Sequence, residues 1–342
     1  MINEKIPAHQ SGFREYHSTT QQCHRIINEI LKGLEEKQLC TAAFLDIQQA
    51  FDRVWHDSLL FKLKATLPTP YYLLLQSHLT DRYSQIKFNT ATSVNFPIHS
   101  GVPQRSVLGP LFYLIFTADI PTRNDTTIAT FADDTAILAS NEDPQTASQS
   151  LQTHLNHLAT WLNIWRIKVK ETKSVHVTFT NRRIDCPIVT INGTQLPVQT
   201  EVKCLGLLLD QKFTWRPHIT AKNKQIYHKL RKLHWLIGRK SKLTTENKLL
   251  LYKVILKPIW TYGAPLWSCY KPSKTNIIQR IRSKILRVVF NAPRYVSNKT
   301  LHESSGIPFV EKEIKRITNK NLQNLSDHSN KQISELKPLP KG

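Results

Sequence analysis

Thr126-Thr127-Ile128-Ala129-Thr130-Phe131-Ala132-Asp133-Asp134-Thr135-Ala136-Ile137-Leu138-Ala139-Ser140 is the stretch whose reading decides the fold. Its two halves are β-branched and apolar, so a hairpin is predicted with Asp133 and Asp134 as neighbouring carboxylates in its turn. Aspartate is common in solvated turns, and the pair alone assigns no chemistry. The flanking sequence is more informative. Upstream, Thr41-Ala42-Ala43-Phe44-Leu45-Asp46-Ile47 is a short apolar run carrying an acid near its end, which predicts a strand. Before it, residues 18 to 40 place Ile26, Ile27, Ile30, Leu31 and Leu34 at helical spacing, with Ser18 or Thr19 as the N-cap. After it, Gln48 to Lys64 returns to helical spacing through Phe51, Val54, Trp55, Leu59 and Leu63, giving the order strand, Asp, helix.

Further along, Tyr71 to Leu79 is predicted helical, and the alternating stretch Ser84 to Phe96 is predicted as a hairpin. A loop, Gly101-Val102-Pro103-Gln104, runs into an apolar helix containing Leu108, Leu111, Phe112, Leu114 and Ile115. Gln145 to Ile164 is an amphipathic helix, and Ser174 to Thr180 and Cys204 to Asp210 are strands. From Trp215 the strand signals fade. Ile226, Leu230, Leu233 and Ile237, then Ile277, Ile281, Ile285 and Val288, fall at helical spacing, and the apolar-poor tail after about residue 320 is expected to fray.

The 342 residues are 40% hydrophobic and 21% charged, which excludes a disordered tail, a collagen-like chain or a mini-protein. The formal charge is +22, and its distribution is lopsided. Residues 1 to 215 hold 20 basic and 19 acidic side chains, whereas residues 216 to 342 hold 27 and 6. Between Arg216 and Lys299 the single acid is Glu246, a pattern that calls for a polyanion such as nucleic acid. Cys23, Cys40, Cys186, Cys204 and Cys269 lack zinc-site spacing and are read as reduced core thiols. No apolar stretch approaches the roughly 18 residues that span a bilayer, and Met1 to Lys5 shows no secretory pattern, so an intracellular chain with no membrane partner is expected.

An acid at a strand end and two more in a hairpin turn, in a polyanion-binding chain, are what a two-metal phosphoryl-transfer site requires: hard oxygen ligands on rigid elements. Phe131-Ala132-Asp133-Asp134 resembles the aromatic-x-Asp-Asp box of reverse transcriptases. Phe44-Leu45-Asp46-Ile47-Gln48-Gln49-Ala50-Phe51-Asp52-Arg53-Val54-Trp55-His56 looks like the first catalytic-Asp motif of non-LTR retrotransposon polymerases. Gly12-Phe13-Arg14 with His17-Ser18-Thr19 and Gln22 resembles their fingers motif. Gly101-Val102-Pro103-Gln104 with Ser106-Val107-Leu108-Gly109-Pro110 resembles their template and nucleotide loop. Leu205-Gly206-Leu207-Leu208-Leu209-Asp210, with Trp215 and His218, looks like their primer-grip strand. The resemblance covers about Pro7 to Phe309, and jockey-type elements of insects are its nearest form.

The resemblance implies an α+β right-hand polymerase with a ferredoxin-like palm, partial fingers and a basic helical thumb. It divides the chain into partial fingers (1–40), palm (41–215), thumb (216–310) and C-terminal tail (311–342). The palm holds a fingers insertion near 65–100 and the primer grip near 204–215. It further implies RNA-directed DNA polymerase activity on an RNA template, a DNA primer, their hybrid and dNTPs, in the nucleus or a cytoplasmic ribonucleoprotein. Asp46, Asp133 and Asp134 are the implied ligands of two Mg²⁺ ions, with Mn²⁺ as an alternative, and Ile47 joins the metal set. Phe51 is implied as the gate against a 2′-hydroxyl, Arg14, Gln104 and Arg105 as template or nucleotide contacts, and Lys173 as a proton donor near the pyrophosphate.

Two positions depart from the family pattern: Arg105 stands where the loop has glycine, and Lys170 where the post-catalytic motif has asparagine. The early fingers strands, an endonuclease and a ribonuclease H sequence are missing, so a partial chain is expected. Arg105 and the partial fingers leave a second reading open, a catalytically impaired fragment that binds RNA or hybrid without chemistry.

Overall fold

The computed structural model describes residues 5–103, 106–268, 272–293 and 295–339. The chain divides into two compact units, residues 1–200 and 201–342. In chain order the first unit contains α1 (Thr19–Glu35), β1 (Leu39–Leu45), α2 (His56–Thr66) and α3 (Thr69–Leu79). Four two-residue strands follow: β2 (Tyr83–Ser84), β3 (Lys87–Phe88), β4 (Ala91–Thr92) and β5 (Phe96–Pro97). Then come α4 (Leu108–Phe116), β6 (Thr127–Phe131), β7 (Asp134–Asn141), α5 (Pro144–Ile164), β8 (Val175–Phe179), β9 (Thr190–Ile191) and β10 (Thr194–Gln195).

The central sheet is antiparallel in the order β6-β7-β1-β8. A strand, a crossover, a hairpin, a second crossover and a last strand at the edge beside β1 make the ferredoxin-like arrangement. Ala43, Leu45, Ile137 and Ala139 share one core with Phe112 and Ile115 of α4 and with Leu151, Leu155 and Leu158 of α5. Side chains alternate across a strand, so the intervening residues face the other side. There, Gly33 of α1 lies against Ser140. Ser18 starts α1 with a capping box: its hydroxyl accepts the Gln21 N–H, and Gln21 Oε1 accepts the Ser18 N–H at 2.7 Å.

The helix expected over Gln48 to Lys64 starts only at His56. Gln49 takes φ 49°, and its carbonyl accepts the N–H groups of both Asp52 and Arg53 at 3.0 Å. The carbonyls of Phe51 and Val54 then accept the N–H groups of Val102 and Gly101, at 2.9 and 2.8 Å. Pairing with a distant loop outcompetes the local periodicity. The hairpin expected over Ser84 to Phe96 is two nested strand pairs, β2 with β5 and β3 with β4.

The second unit opens on β11 (Glu201–Cys204) and β12 (Leu207–Asp210). Its helices are α6 (Arg216–Ile237), α7 (Thr245–Leu251), a π-helical turn (Tyr252–Leu256), α8 (Lys257–Thr261), α9 (Ala264–Trp267), α10 (Pro272–Val289), α11 (Asn298–Ser305), α12 (Val310–Ser326) and α13 (Lys331–Ser334). The single strand expected over Cys204 to Asp210 is therefore a hairpin. Leu205 and Gly206 both have positive φ, 44° and 84°, as a two-residue primed turn requires. The tail expected to fray after residue 320 is instead helical to Ser326, because Val310, Ile314 and Leu325 are buried, as is Ile333 beyond it.

Asp210 joins the hairpin to α6. Its carboxylate is buried and accepts the N–H groups of Thr214 and Trp215, each at 2.8 Å. Replacing Asp210 with alanine strands both donors, so a loss of about 2–4 kcal/mol is expected in urea unfolding of the second unit, followed by tryptophan fluorescence.

Cys23, Cys40, Cys186 and Cys204 are buried and form no disulfide among the described residues, and burial pushes the Cys40 thiol up to about 12, as expected of inert core thiols. Cys269 lies outside the described residues. Among the described residues no helix is long and apolar enough to cross a membrane.

Candidate active site

The ladder of β6 and β7 closes on the pair Phe131 and Asp134, leaving Ala132 and Asp133 as the two-residue turn. Ala132 has φ 57°, a conformation that alanine adopts at a cost. The segment 9–12 docks along β6 and supports this turn. The Ser11 N–H donates to the Thr130 carbonyl at 3.0 Å, and the Thr130 N–H donates to the His9 carbonyl at 3.1 Å. Gln22 of α1, buried, donates to both of those carbonyls at 3.0 Å and accepts from the Ser11 hydroxyl at 2.9 Å. The Gly12 and Gln22 motif positions thus act on the acid-bearing hairpin.

Asp46 follows directly on β1, whose last ladder pair with β7 is Leu45 and Thr135. In an antiparallel pair the residue after Leu45 and the residue before Thr135 lie at the same end, so Asp46 and Asp134 both stand where this ladder stops. The Asp46 main chain is fixed from the other side. Its N–H donates to Ser174 Oγ at 3.1 Å, and its carbonyl accepts the Lys170 N–H at 2.8 Å. The Gln48 N–H bonds the Lys168 carbonyl at 2.8 Å, and Ile47 pairs with Val169 as a bridge between these bonds. The bonds to 168–170 therefore come from Asp46 and Gln48, and the Ile47 carbonyl is turned toward the opposite edge. Lys173 is exposed on the same 170–174 turn, its N–H on the Lys170 carbonyl at 3.0 Å.

Phe51 is half-buried, stacked on Tyr113 of α4 at 5.1 Å between ring centroids, with the exposed Phe13 ring edge-on at 5.7 Å. Tyr113 belongs to none of the sequence motifs. Burial pushes its hydroxyl pKa up, and the carboxylates of Asp133 and Asp134 push it further, so a ring under Phe51 also adjoins the acids. Nothing in an apolar helix such as Leu108–Phe116 marks one tyrosine as a neighbour of carboxylates 20 residues away. A cavity of about 20 Å³, room for one water, lies behind the turn between Gln10, Ile47, Tyr113, Ala132 and Thr135.

The structure thus brings Asp46, Asp133, Asp134, Ile47, Phe51 and Lys173 to one end of the sheet. Arg14 is half-buried, and its Nη1 donates to the carbonyls of Pro7 and Gln10, both at 3.1 Å, which ties it to the docking segment. Gln104 and Arg105 lie outside the described residues. Among the described residues no group of three His, Cys, Asp or Glu side chains closes into a metal cage. The donors still suit Mg²⁺, which is held by one or two carboxylates with waters and substrate phosphates rather than by an all-protein cage.

The second unit is basic on its surface. Lys224, Lys229, Arg231 and Lys232 are exposed on α6, Arg239, Lys240 and Lys242 just beyond it, and Arg280 and Lys284 on α10.

A ferredoxin-like sheet that presents one acid after its first strand, a second in the turn of its β6–β7 hairpin and a third at the head of β7, rather than both in the turn as expected, has the layout of the palm of a right-hand nucleic-acid polymerase. The family model described as reverse transcriptase (RNA-dependent DNA polymerase) matches residues 1–209, and the chain belongs to that family. It is 38% identical over 334 residues to the probable RNA-directed DNA polymerase from transposon BS of Drosophila melanogaster, covering 94% of this chain and 37% of that protein. It is 36% identical over 337 residues to the RNA-directed DNA polymerase from mobile element jockey of the same species, covering 96% of this chain and 37% of that protein. The chain thus spans little more than a third of the length of these relatives. Among solved structures, telomerase from Candida tropicalis in complex with a fragment of telomeric RNA aligns with 92% of this chain and 51% of that chain, at 14% identity and a TM-score of 0.42.

Proposed function

We propose that this chain is the polymerase core of a non-LTR retrotransposon reverse transcriptase, joining deoxynucleotides to a primer 3′-hydroxyl as an RNA template directs. The observation that carries this reading is that Asp46, at the end of β1, and Asp133 and Asp134, at the β6–β7 turn and the head of β7, share one end of the sheet beside the Phe51–Tyr113 stack. In this reading Asp46, Asp133 and Asp134, with the Ile47 carbonyl, hold two Mg²⁺ or Mn²⁺ ions. When bound, these supply the positive charge that activates the primer hydroxyl and neutralises the departing pyrophosphate. Lys173 delivers a proton to that pyrophosphate. Gln104, Arg105 and Arg14 contact nucleotide or template, Arg14 while its Nη1 ties down the carbonyls of Pro7 and Gln10.

Residues 1–40 act as partial fingers, 41–215 as palm with the insertion near 65–100, and 216–310 as a thumb, followed by the segment 311–342. The exposed lysines and arginines of α6 and α10 track a hybrid backbone without reading sequence, so its binding weakens steeply with salt. The working form is a ribonucleoprotein in cytoplasm or nucleus.

Single Asp46→Asn and Asp133→Asn variants test the reading by primer extension on RNA with Mg²⁺. Each is expected to lose about 10³-fold in rate while holding hybrid as tightly as the unmodified chain. Undiminished extension by both variants would place the chemistry elsewhere. Phe51→Ala is a separate prediction: discrimination between a dNTP and the matching NTP is expected to fall by about 10- to 100-fold in steady-state incorporation, since removing the ring makes room for a 2′-hydroxyl.

A further inference from the structure

We propose that Gln10 is the positioning residue of the active site, a clamp that sets the acid-bearing turn through the main chain of Ala132; its catalytic consequence rests on the polymerase reading. Ala132 holds φ 57° without the freedom of glycine or the self-bonding side chain of asparagine, so the shape of the turn depends on support from outside. Gln10 supplies it. Its Oε1 accepts the Ala132 N–H at 2.9 Å and the Gly12 N–H at 2.8 Å, and its Nε2 donates to the Ala132 carbonyl at 3.3 Å. One side-chain amide thereby pairs with both polar groups of the residue that precedes Asp133, as a neighbouring strand would.

The clamp itself is anchored. Gln10 is 4% exposed, its carbonyl accepts from Arg14, and its N–H bonds the Pro7 carbonyl at 3.1 Å. It pairs with Thr130 as a parallel bridge, two residues before the turn begins. Its side chain also lines the cavity behind the turn with Ile47 and Tyr113, so a change at Gln10 reaches the floor of the site. A carboxylate misplaced by about 1 Å costs on the order of 10²-fold in rate. Gln10 touches no reacting atom, and its effect passes wholly through the position of Asp133 and Asp134.

The test compares the full chain with Gln10→Met, which keeps volume but removes all three bonds, and Gln10→Glu, which keeps the acceptor for the Ala132 N–H. Amide exchange at Ala132, read by NMR, is expected to accelerate at least about 100-fold in Gln10→Met and to stay protected in Gln10→Glu. Equal protection of that amide in Gln10→Met would overturn the clamp, as would loss of protection in Gln10→Glu. In primer extension, Gln10→Met is expected to lower kcat by about 100-fold with the dNTP KM within about threefold, a split that general loosening of the fold would not produce. Extension by Gln10→Met at the unmodified rate would overturn the positioning role and leave the polymerase reading intact. Faster exchange in Gln10→Met, with no extension even by the unmodified chain, would uphold the clamp and count against the polymerase reading instead.

Discussion

Replacing Gly12 with alanine is expected to lower the stability of the first unit by about 2–3 kcal/mol and to cut primer extension by about 100-fold. A Cβ on Gly12 would sit 2.2 Å from the Ala132 nitrogen and 2.9 Å from its Cα. Both are main-chain atoms of the acid-bearing turn, which cannot yield as the end of a flexible side chain would; the third neighbour, Gln10 Oε1 at 3.0 Å, is the acceptor of the Gly12 and Ala132 N–H groups. Either the docking segment lifts from β6, releasing its bonds to Thr130 and Gln22, or the turn moves and carries Asp133 with it. Gly193→Ala is the control: φ is 76° there but a Cβ meets nothing within 4 Å, so only the backbone penalty of about 1 kcal/mol is expected, with activity unchanged. Urea unfolding and extension rates of the two variants check this. A Gly12→Ala chain as stable and active as the control would contradict the docking.

Acid is expected to destabilise both units well above the range in which carboxylates titrate. Burial, followed by nearby Arg25, lowers His9 to about 4; burial lowers His176 to about 4; burial, followed by Lys222, lowers His218 to about 4. The geometry agrees. His9 Nε2, His176 Nδ1 and His218 Nε2 are buried with no hydrogen-bond partner among the described residues. His218 Nδ1 already accepts the Leu208 N–H at 3.2 Å, a bond that protonation would abolish. Each ring is neutral when folded and titrates near 6.5 when unfolded, so the unfolded chain binds more protons between about pH 6.5 and 4. Stability is therefore complete above about pH 6.5 and falls as pH drops through that window. At pH 5 the loss is on the order of 2 kcal/mol per ring, two rings lying in the first unit and one in the second. Urea midpoints at pH 7.5 and pH 5 measure it, and His176→Gln should lower proton uptake on unfolding by about one. A midpoint independent of pH over that range would show that these rings are solvated.

What could be read in the sequence was what local chemistry governs. The β-branched halves around Asp133 and Asp134, the Ser18 cap and the apolar stripe of α5 each carry their own signal, and all three stand where expected. The segment from Ile47 to Trp55 misled because Phe51, Val54 and Trp55 mimic a helical stripe, whereas hydrogen bonds to Gly101 and Val102 fix a series of turns there. Asp210 and His218 belong to the family motif, and the structure gives them local work, capping the entry to α6 and receiving the Leu208 amide. Gln10 and Tyr113 left no trace in the sequence. Their importance comes from contact with a turn 122 residues away in one case and from the field of two carboxylates in the other, and neither has a periodicity to detect.

Whether the Asp46 and Asp133–Asp134 cluster copies RNA into DNA is read by incubating the unmodified chain with a DNA primer on an RNA template, Mg²⁺ and all four dNTPs, and sequencing the product, with Arg105→Gly run in parallel. Extension complementary to the template is expected from the unmodified chain and is abolished by Asp133→Asn. Tight binding of the hybrid by both forms, with no nucleotide added by either, would contradict it.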